Sequence, residues 1–370
     1  MSQSWFSLSN EVHRTIAMMT VAFAVSAPTL AQQASGRTEL LFLGTAGGPP
    51  LRLDRSEPAT LLIVDDRSYL IDCGIGTMRR VLESGIQSET IQTVFLTHLH
   101  ADHDLGLADV MANDFFRLNF ANSKQEIAIY GPPQTKELVD AAFQYISIGF
   151  RPFAAEPGAI RAGLVDGRLK SPFSAHEILH DGLVYQDDKI RVIAAENSHY
   201  ALMPAPDNQQ MKSYSYRIET PHGVVVFTGD TGPSDAVIRL ASGADVLVAE
   251  VVNLAEASKA AENMRAQNHW PPTRAAALIK HVREEHLDEA EVGKMATKAG
   301  AKSVVLYHYH PTDPAAHLAA VKKSFAGPVF ASADHDRYCL IAGDRSANER
   351  GSLSQCASQY TLPGVSSTSK

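Results

Sequence analysis

Residues 95–107 read FLTHLHADHDLGL, and positions 98–104 alone hold three histidines and two aspartates. The stretch continues QTVFLT, an apolar run that predicts a buried strand. The histidines therefore fall on the loop at that strand's C-terminal end. Few folds tolerate such a loop, because imidazoles and carboxylates packed so closely cannot be buried without partners. Divalent cations suit them, since His nitrogen and Asp oxygen bind Zn²⁺ and related ions at about 2.0–2.2 Å. His98 and His100, two apart in extended backbone, turn toward one point, and Asp102 and His103 face a second point nearby. Four donors exceed what one open catalytic site needs, so the spacing predicts two metals. Further ligands stand at the same kind of place, the ends of predicted strands. His199 follows IRVIAAENS, Asp230 follows VVVFTG and His308 follows KSVVLY. An aspartate between two cations can give one oxygen to each, which makes Asp230 the candidate bridge. In YHYHP, His310 competes with His308 for the last position, and His308 is preferred because it directly follows the apolar run.

Around these loops the chain alternates strands and helices with no low-complexity linker between residues 37 and 345. The simplest arrangement is one α/β domain of layered sheets and helices. A weak two-fold echo supports layering: YLIDCGIGTMRRVLESG and VVFTGDTGPSDAVIRLASG both run strand, Asp-containing loop, helix, Gly. Two halves packed face to face would bring those loops together. Gly85 and Gly300 end predicted helices, Thr135 is placed to cap another, and Asp104 to cap the one that LGLADVM begins. Gly106 is expected to allow close packing beside the metals. Residues 146–182 are irregular and read as an inserted loop region, while HWPPT (269–273) reads either as a lid carrying Trp270 or as a helix-capping turn. The remaining histidines, His281 among them, are expected at the surface or behind the ligands.

The leader differs in kind. Arg14, an uncharged apolar stretch and small residues ending at Ala31 describe a signal peptide over 1–31, hence a periplasmic or secreted protein with no stable membrane anchor after cleavage. In an oxidising compartment Cys339 and Cys356 could pair, tying the polar tail 346–370, expected to be disordered, to the last strand. Cys73 reads as a small buried hydrophobe. With a net charge of −8 and a pI near 6.0 the chain lacks an overall basic footprint, and no nucleic-acid partner is expected.

The motif H-x-H-x-D-H, here His98, His100, Asp102 and His103, resembles that of the metallo-β-lactamase superfamily. FLGTAGGPP, YLIDCGIGT, IYGPPQTKELVD and VVLYH are similar to its ribonuclease Z and arylsulfatase-like branch, and the likeness runs from about Thr38 to Asp344. It implies an αββα sandwich with the metals at one sheet edge. His98, His100 and His199 would hold one zinc, Asp102, His103 and His308 the other, and Asp230 would bridge, with a hydroxide between the ions. Mn²⁺ or Fe²⁺ could replace zinc. Asp72 would support the His-rich loop, and His286 would stand near the leaving group, so that Asp102, Asp230 and His286 carry catalysis. The expected protein is an exported dinuclear hydrolase of a small-molecule phosphodiester or sulfate ester, with a homodimer left open. A lactonase or β-lactamase activity is the alternative, and a non-catalytic metal-binding module the alternative of another class.

Overall fold

The computed structural model describes residues 36–120, 126–155, 164–165, 168–169, 171–309, 313–341 and 353–356. The leader 1–31 lies outside them. In the first strand, β1 (Arg37–Gly44), Leu40 and Phe42 face one way and Leu41 and Leu43 the other, yet all four are fully buried. A strand with both faces covered belongs in the middle of a layered structure, which is why these strands read as continuous apolar runs.

From β1 the chain builds a sheet with β2 (Ala59–Val64), β3 (Arg67–Ile71), β4 (Ile91–Phe95) and β5 (Ile127–Gly131). A small hairpin of β6 (Leu164–Val165) and β7 (Arg168–Leu169) precedes β8 (Phe173–Glu177), which joins the sheet's edge. A second sheet follows: β9 (Gly182–Gln186), β10 (Arg191–Glu196), β11 (Tyr214–Thr220), β12 (Gly223–Phe227), β13 (Val246–Glu250), β14 (Ser303–Tyr307) and β15 (Val329–Ala331). The chain then returns to the first sheet as β16 (Arg337–Ile341) and β17 (Leu353–Gln355), giving the orders β17-β16-β1-β2-β3-β4-β5-β8 and β15-β14-β13-β12-β11-β10-β9.

Helices fill the crossovers between parallel neighbours. In the first half they are α1 (Thr77–Glu83), α2 (Ala101–Asp104), α3 (Leu107–Phe120) and α4 (Thr135–Ala155). After the short α5 (Asp207–Gln210), the second half adds α6 (Asp235–Leu240), α7 (Leu254–Gln267), α8 (Pro272–Glu285), α9 (Glu289–Ala299) and α10 (Pro314–Val321). Three apolar clusters follow. Leu40, Phe42 and Phe95 meet Tyr214, Tyr216 and Val305 between the sheets. Leu41, Leu43 and Val94 meet Val110, Phe115 and Val139 beneath α3 and α4. Val226, Leu247 and Leu306 meet Val237, Val292 and Val321 beneath α6, α9 and α10. This is the expected four-layer αββα sandwich.

Local expectations fare unevenly. Helix α4 carries regular structure through Ala155, and β8 is paired, so the irregular reading of 146–182 fails at both ends. Thr135 does not cap α4; its hydroxyl donates to the Pro132 carbonyl (2.7 Å), while Glu177 of β8 accepts from the Gln134 and Lys136 amides. Within the tail, β17 pairs with β16 and Cys356 is bonded to Cys339. HWPPT is the turn between α7 and α8, with Arg274 stacked 4.2 Å from the Trp270 ring. No described helix is long and apolar enough to cross a membrane.

Asp187, in the β9–β10 turn, ties the sheets together. Its carboxylate accepts from Tyr69 of β3 (2.7 Å), Tyr185 of β9 (2.8 Å) and Arg67 (2.7 Å), and from the Lys189 and Ile190 amides. Burial opposes its ionisation, but the Tyr69 hydroxyl and these other donors outweigh it and hold the pKa at about 2. Because the folded value lies below the unfolded one, near 3.9, this contribution is present above pH ~4 and is lost as pH falls through about 2. Asp187→Ala is expected to lower stability by about 2 kcal/mol at pH 7 and by less at pH 2.5, read from urea melts at both values. Equal losses at the two pH values would remove the electrostatic account.

Candidate metal centre

The parallel strands end at one edge of the sandwich, and the loops leaving them carry the site, as is general for open α/β sheets. From β3 comes Asp72, from β4 His98 to His103, from β10 His199, from β12 Asp230 and from β14 His308. Close backbone approach is required here. A Cβ on Gly106 would lie 2.2 Å from the Gly74 carbonyl oxygen, so only glycine lets the His-rich loop settle against the β3–α1 loop.

The structure brings all seven expected ligands together. His98, His100 and His199 place one ligand atom each within 4.8 Å of one another, and so do Asp102, His103 and His308. Asp230 sits between the sets, its Oδ1 3.5 Å from His103 Nε2 and its Oδ2 3.3 Å from His308 Nε2. Each inner histidine is turned by a bond on its other nitrogen. His103 Nδ1 meets Asp72 Oδ2 at 2.9 Å, His199 Nδ1 donates to the Glu285 carbonyl at 2.9 Å, and His98 Nδ1 lies 3.1 Å from the Thr97 hydroxyl. This is the arrangement that fixes the tautomer of a metal-binding imidazole. The two loops of the sequence echo do converge, with Asp72 on one side of His103 and Asp230 on the other.

These residues fit cations. Among the described residues, His98 Nε2, His103 Nε2 and Asp230 Oδ1 are buried without a hydrogen-bond partner, a costly state for polar atoms. Burial holds His98 and His199 well below the usual imidazole range, which favours the neutral ring that a cation needs. Burial would neutralise Asp230 too, but His308 and His103 outweigh it and keep the carboxylate ionised.

Several residues were not singled out from the sequence. Glu250, the last residue of β13, is fully buried and its Oε2 lies 2.6 Å from His286 Nδ1. It reads as one more strand residue in VLVAE, and only its interior position reveals it. Burial lowers the His286 pKa, but the Glu250 carboxylate beside it wins and raises it to about 9. A second pair, His281 and Glu285 one turn apart on α8, meets at 2.5 Å and lies next to the ligands, with His281 5.2 Å from His286 between ring centroids. The Asp104 carboxylate, expected as a helix cap, makes no hydrogen bond among the described residues. Burial raises its pKa to about 6. His310 lies outside the described residues.

A family model, the beta-lactamase superfamily domain, matches residues 67–309. The chain belongs to the metallo-β-lactamase superfamily. It is 29% identical over 273 residues to ribonuclease Z of Mycobacterium bovis (strain BCG / Pasteur 1173P2), covering 74% of this chain and 86% of that one. Among solved structures it is similar in fold to the metallo-beta-lactamase fold protein YhfI from Bacillus subtilis (TM-score 0.58, 19% identity, 82% and 99% of the two chains). Human tRNase Z, short form, gives a TM-score of 0.55 at 19% identity over 81% and 98%. This is a metal-dependent hydrolase of the superfamily's ribonuclease Z branch.

The relatives correct one expectation, that no nucleic acid is a partner: the curated homologues of this superfamily member are ribonucleases. A net charge of −8 sums over the whole surface and says nothing of the field at one metal-lined edge. If the donor set holds metal, adding zinc in excess to chelator-treated protein raises Tm by on the order of 5 °C in calorimetry. Asp230→Ala should lose most of that rise. An unchanged wild-type Tm would contradict the assignment.

Proposed function

We propose that this protein hydrolyses phosphodiesters at two divalent cations, most simply zinc, held by the seven residues assembled at the sheet edge. The observation that carries the reading is Asp230 standing between two three-residue ligand sets, within 3.5 Å of a histidine of the second and grouped with His98 of the first. When bound, the cations would supply Lewis acidity and lower the pKa of water in the site.

The chain's own residues do the rest. His98, His100 and His199 would hold one ion, Asp102, His103 and His308 the other, and Asp230, between the two sets, would serve both. Asp72 keeps the His103 ring in its orientation. His286, turned by Glu250 through Nδ1, keeps Nε2 for the departing oxygen and holds a proton there to be given up as the ester bond breaks. The ribonuclease Z relatives favour phosphodiester over sulfate ester.

The test is a panel of bis(4-nitrophenyl) phosphate, a precursor tRNA with a 3′ trailer, 4-nitrophenyl sulfate and a chromogenic cephalosporin. Wild type should favour the phosphodiesters. Asp230→Ala or His100→Ala should lose at least about a thousandfold, and Glu250→Gln about a hundredfold in kcat with KM little changed. A preference for the sulfate or the cephalosporin, or full activity in Asp230→Ala, would overturn the reading.

Export belongs to the same proposal. It is supported by the leader composition and by the Cys339–Cys356 bond, which suits an oxidising compartment. Intact mass of periplasmic protein should show cleavage near Ala31 and a single free thiol, Cys73. Cytosolic, uncleaved protein with three free thiols would refute it.

A further inference from the structure

Helices α7 and α8 lie outside the apolar core, although the end of α8 meets the site through Glu285, whose carbonyl accepts from His199. They pack on each other, burying Ala261 and Ala275. None of their residues belongs to the three apolar clusters that hold the sandwich together. The polar residues Lys259, Glu262 and Arg265 of α7 include an ion pair, Arg265 to Glu262 at 2.6 Å, on the helix surface. The apolar positions Ala257, Ala260 and Met264, at helical spacing, share a face. That face is turned to a hollow. It lines a cavity of about 750 Å³, with Leu278 and Val282 of α8 beside it and Pro49 and Pro50 of the β1–β2 loop also in its wall.

The cavity runs to the metal centre, since His100, Asp102, Asp230, His286 and His308 line it too. Its size suits an organic ligand of moderate size. Away from the centre the wall is mostly apolar, with Asn253, Glu256 and His281 as its polar members, no lysine or arginine lines it, and Met264 is left 39% exposed. The neighbouring loop residues Leu51 and Leu53 are exposed as well. A hairpin that adds nothing to the core yet presents Ala, Met, Leu and Val to a hollow beside the reacting groups serves what enters that hollow.

We infer that the α7–α8 hairpin builds a binding chamber for an uncharged apolar substituent of the substrate, a medium-length alkyl chain or an aryl ring, while the charged ester group sits at the metal end. The placing of the ester rests on the phosphodiesterase reading. The apolar chamber does not. The ester group would lie among the residues that would hold the cations, beside His286, and the chamber would select the organic group by removing it from water.

The test uses metal-loaded mature protein and three probes of one headgroup, methylphosphonate, butylphosphonate and octylphosphonate. Their affinities are measured by calorimetry and as inhibition of bis(4-nitrophenyl) phosphate hydrolysis. Each buried methylene contributes roughly a fourfold gain in affinity. Even partial seating should make octylphosphonate bind at least tenfold tighter than methylphosphonate. Met264→Glu and Ala260→Trp, both at exposed positions, should remove that gain and leave methylphosphonate binding unchanged within about twofold. A flat series in wild type overturns the inference, as does an octyl preference that survives both substitutions. Should wild type fail to hydrolyse any phosphodiester while octylphosphonate still binds preferentially, the phosphodiesterase reading falls and the chamber stands.

Discussion

One imidazole lies where the two halves of this protein meet. His103 is fully buried, its Nδ1 2.9 Å from the Asp72 carboxylate and its Nε2 3.5 Å from that of Asp230. Asp72 follows a strand of the first sheet and Asp230 a strand of the second, so the ring lies where the two layers meet. Burying ionisable groups in such a place is tolerable only when each is paired and oriented. The flanking loops, the glycine contacts beneath them and the register of the sheets must agree for that to happen. The backbone bears part of the demand: Asp72 and His308 both adopt positive φ, at 55° and 50°, where most side chains are disfavoured.

From this constraint the site's organisation follows. Parallel strands of both sheets run toward one edge and end there in polar loops, so ligands scattered over some two hundred residues of sequence arrive within a few ångströms of one another. Side-chain freedom is removed a second time by Asp72, Thr97 and Glu285, which engage the far nitrogens of three of the imidazoles. The protein's own hydrogen bonds therefore set the orientation of three of the imidazoles.

Much of this was legible in the sequence. Strands covered on both faces read as unbroken apolar runs, and histidines and aspartates after those runs read as candidate donors, so a layered α/β domain and the seven candidates could be named from the pattern, while the four-layer sandwich and its metal-bearing edge came from the resemblance to the superfamily. The remainder was hidden by distance. Glu177 caps α4 from a strand some forty residues later, so the nearer Thr135 was the natural but wrong choice. Glu250 is indistinguishable from any strand-terminal glutamate until its burial beside His286 is seen. Helix α7, rich in alanine and weakly patterned, gave no signal of its own, because its apolar face is matched to a cavity and not to a core. Whole-chain charge misled about nucleic acid for a related reason: a sum over the surface cannot report on one edge.

That α7 and α8 lie outside the three apolar clusters also bears on how such a molecule can change. Substitutions at Ala257, Ala260 or Met264 of that pair would alter the shape of a hollow and leave the sheets and the donor set intact. Mutational tolerance and functional leverage then coincide in one helical pair. New preferences could arise there by small steps, each compatible with a chain that still folds and keeps its reacting centre.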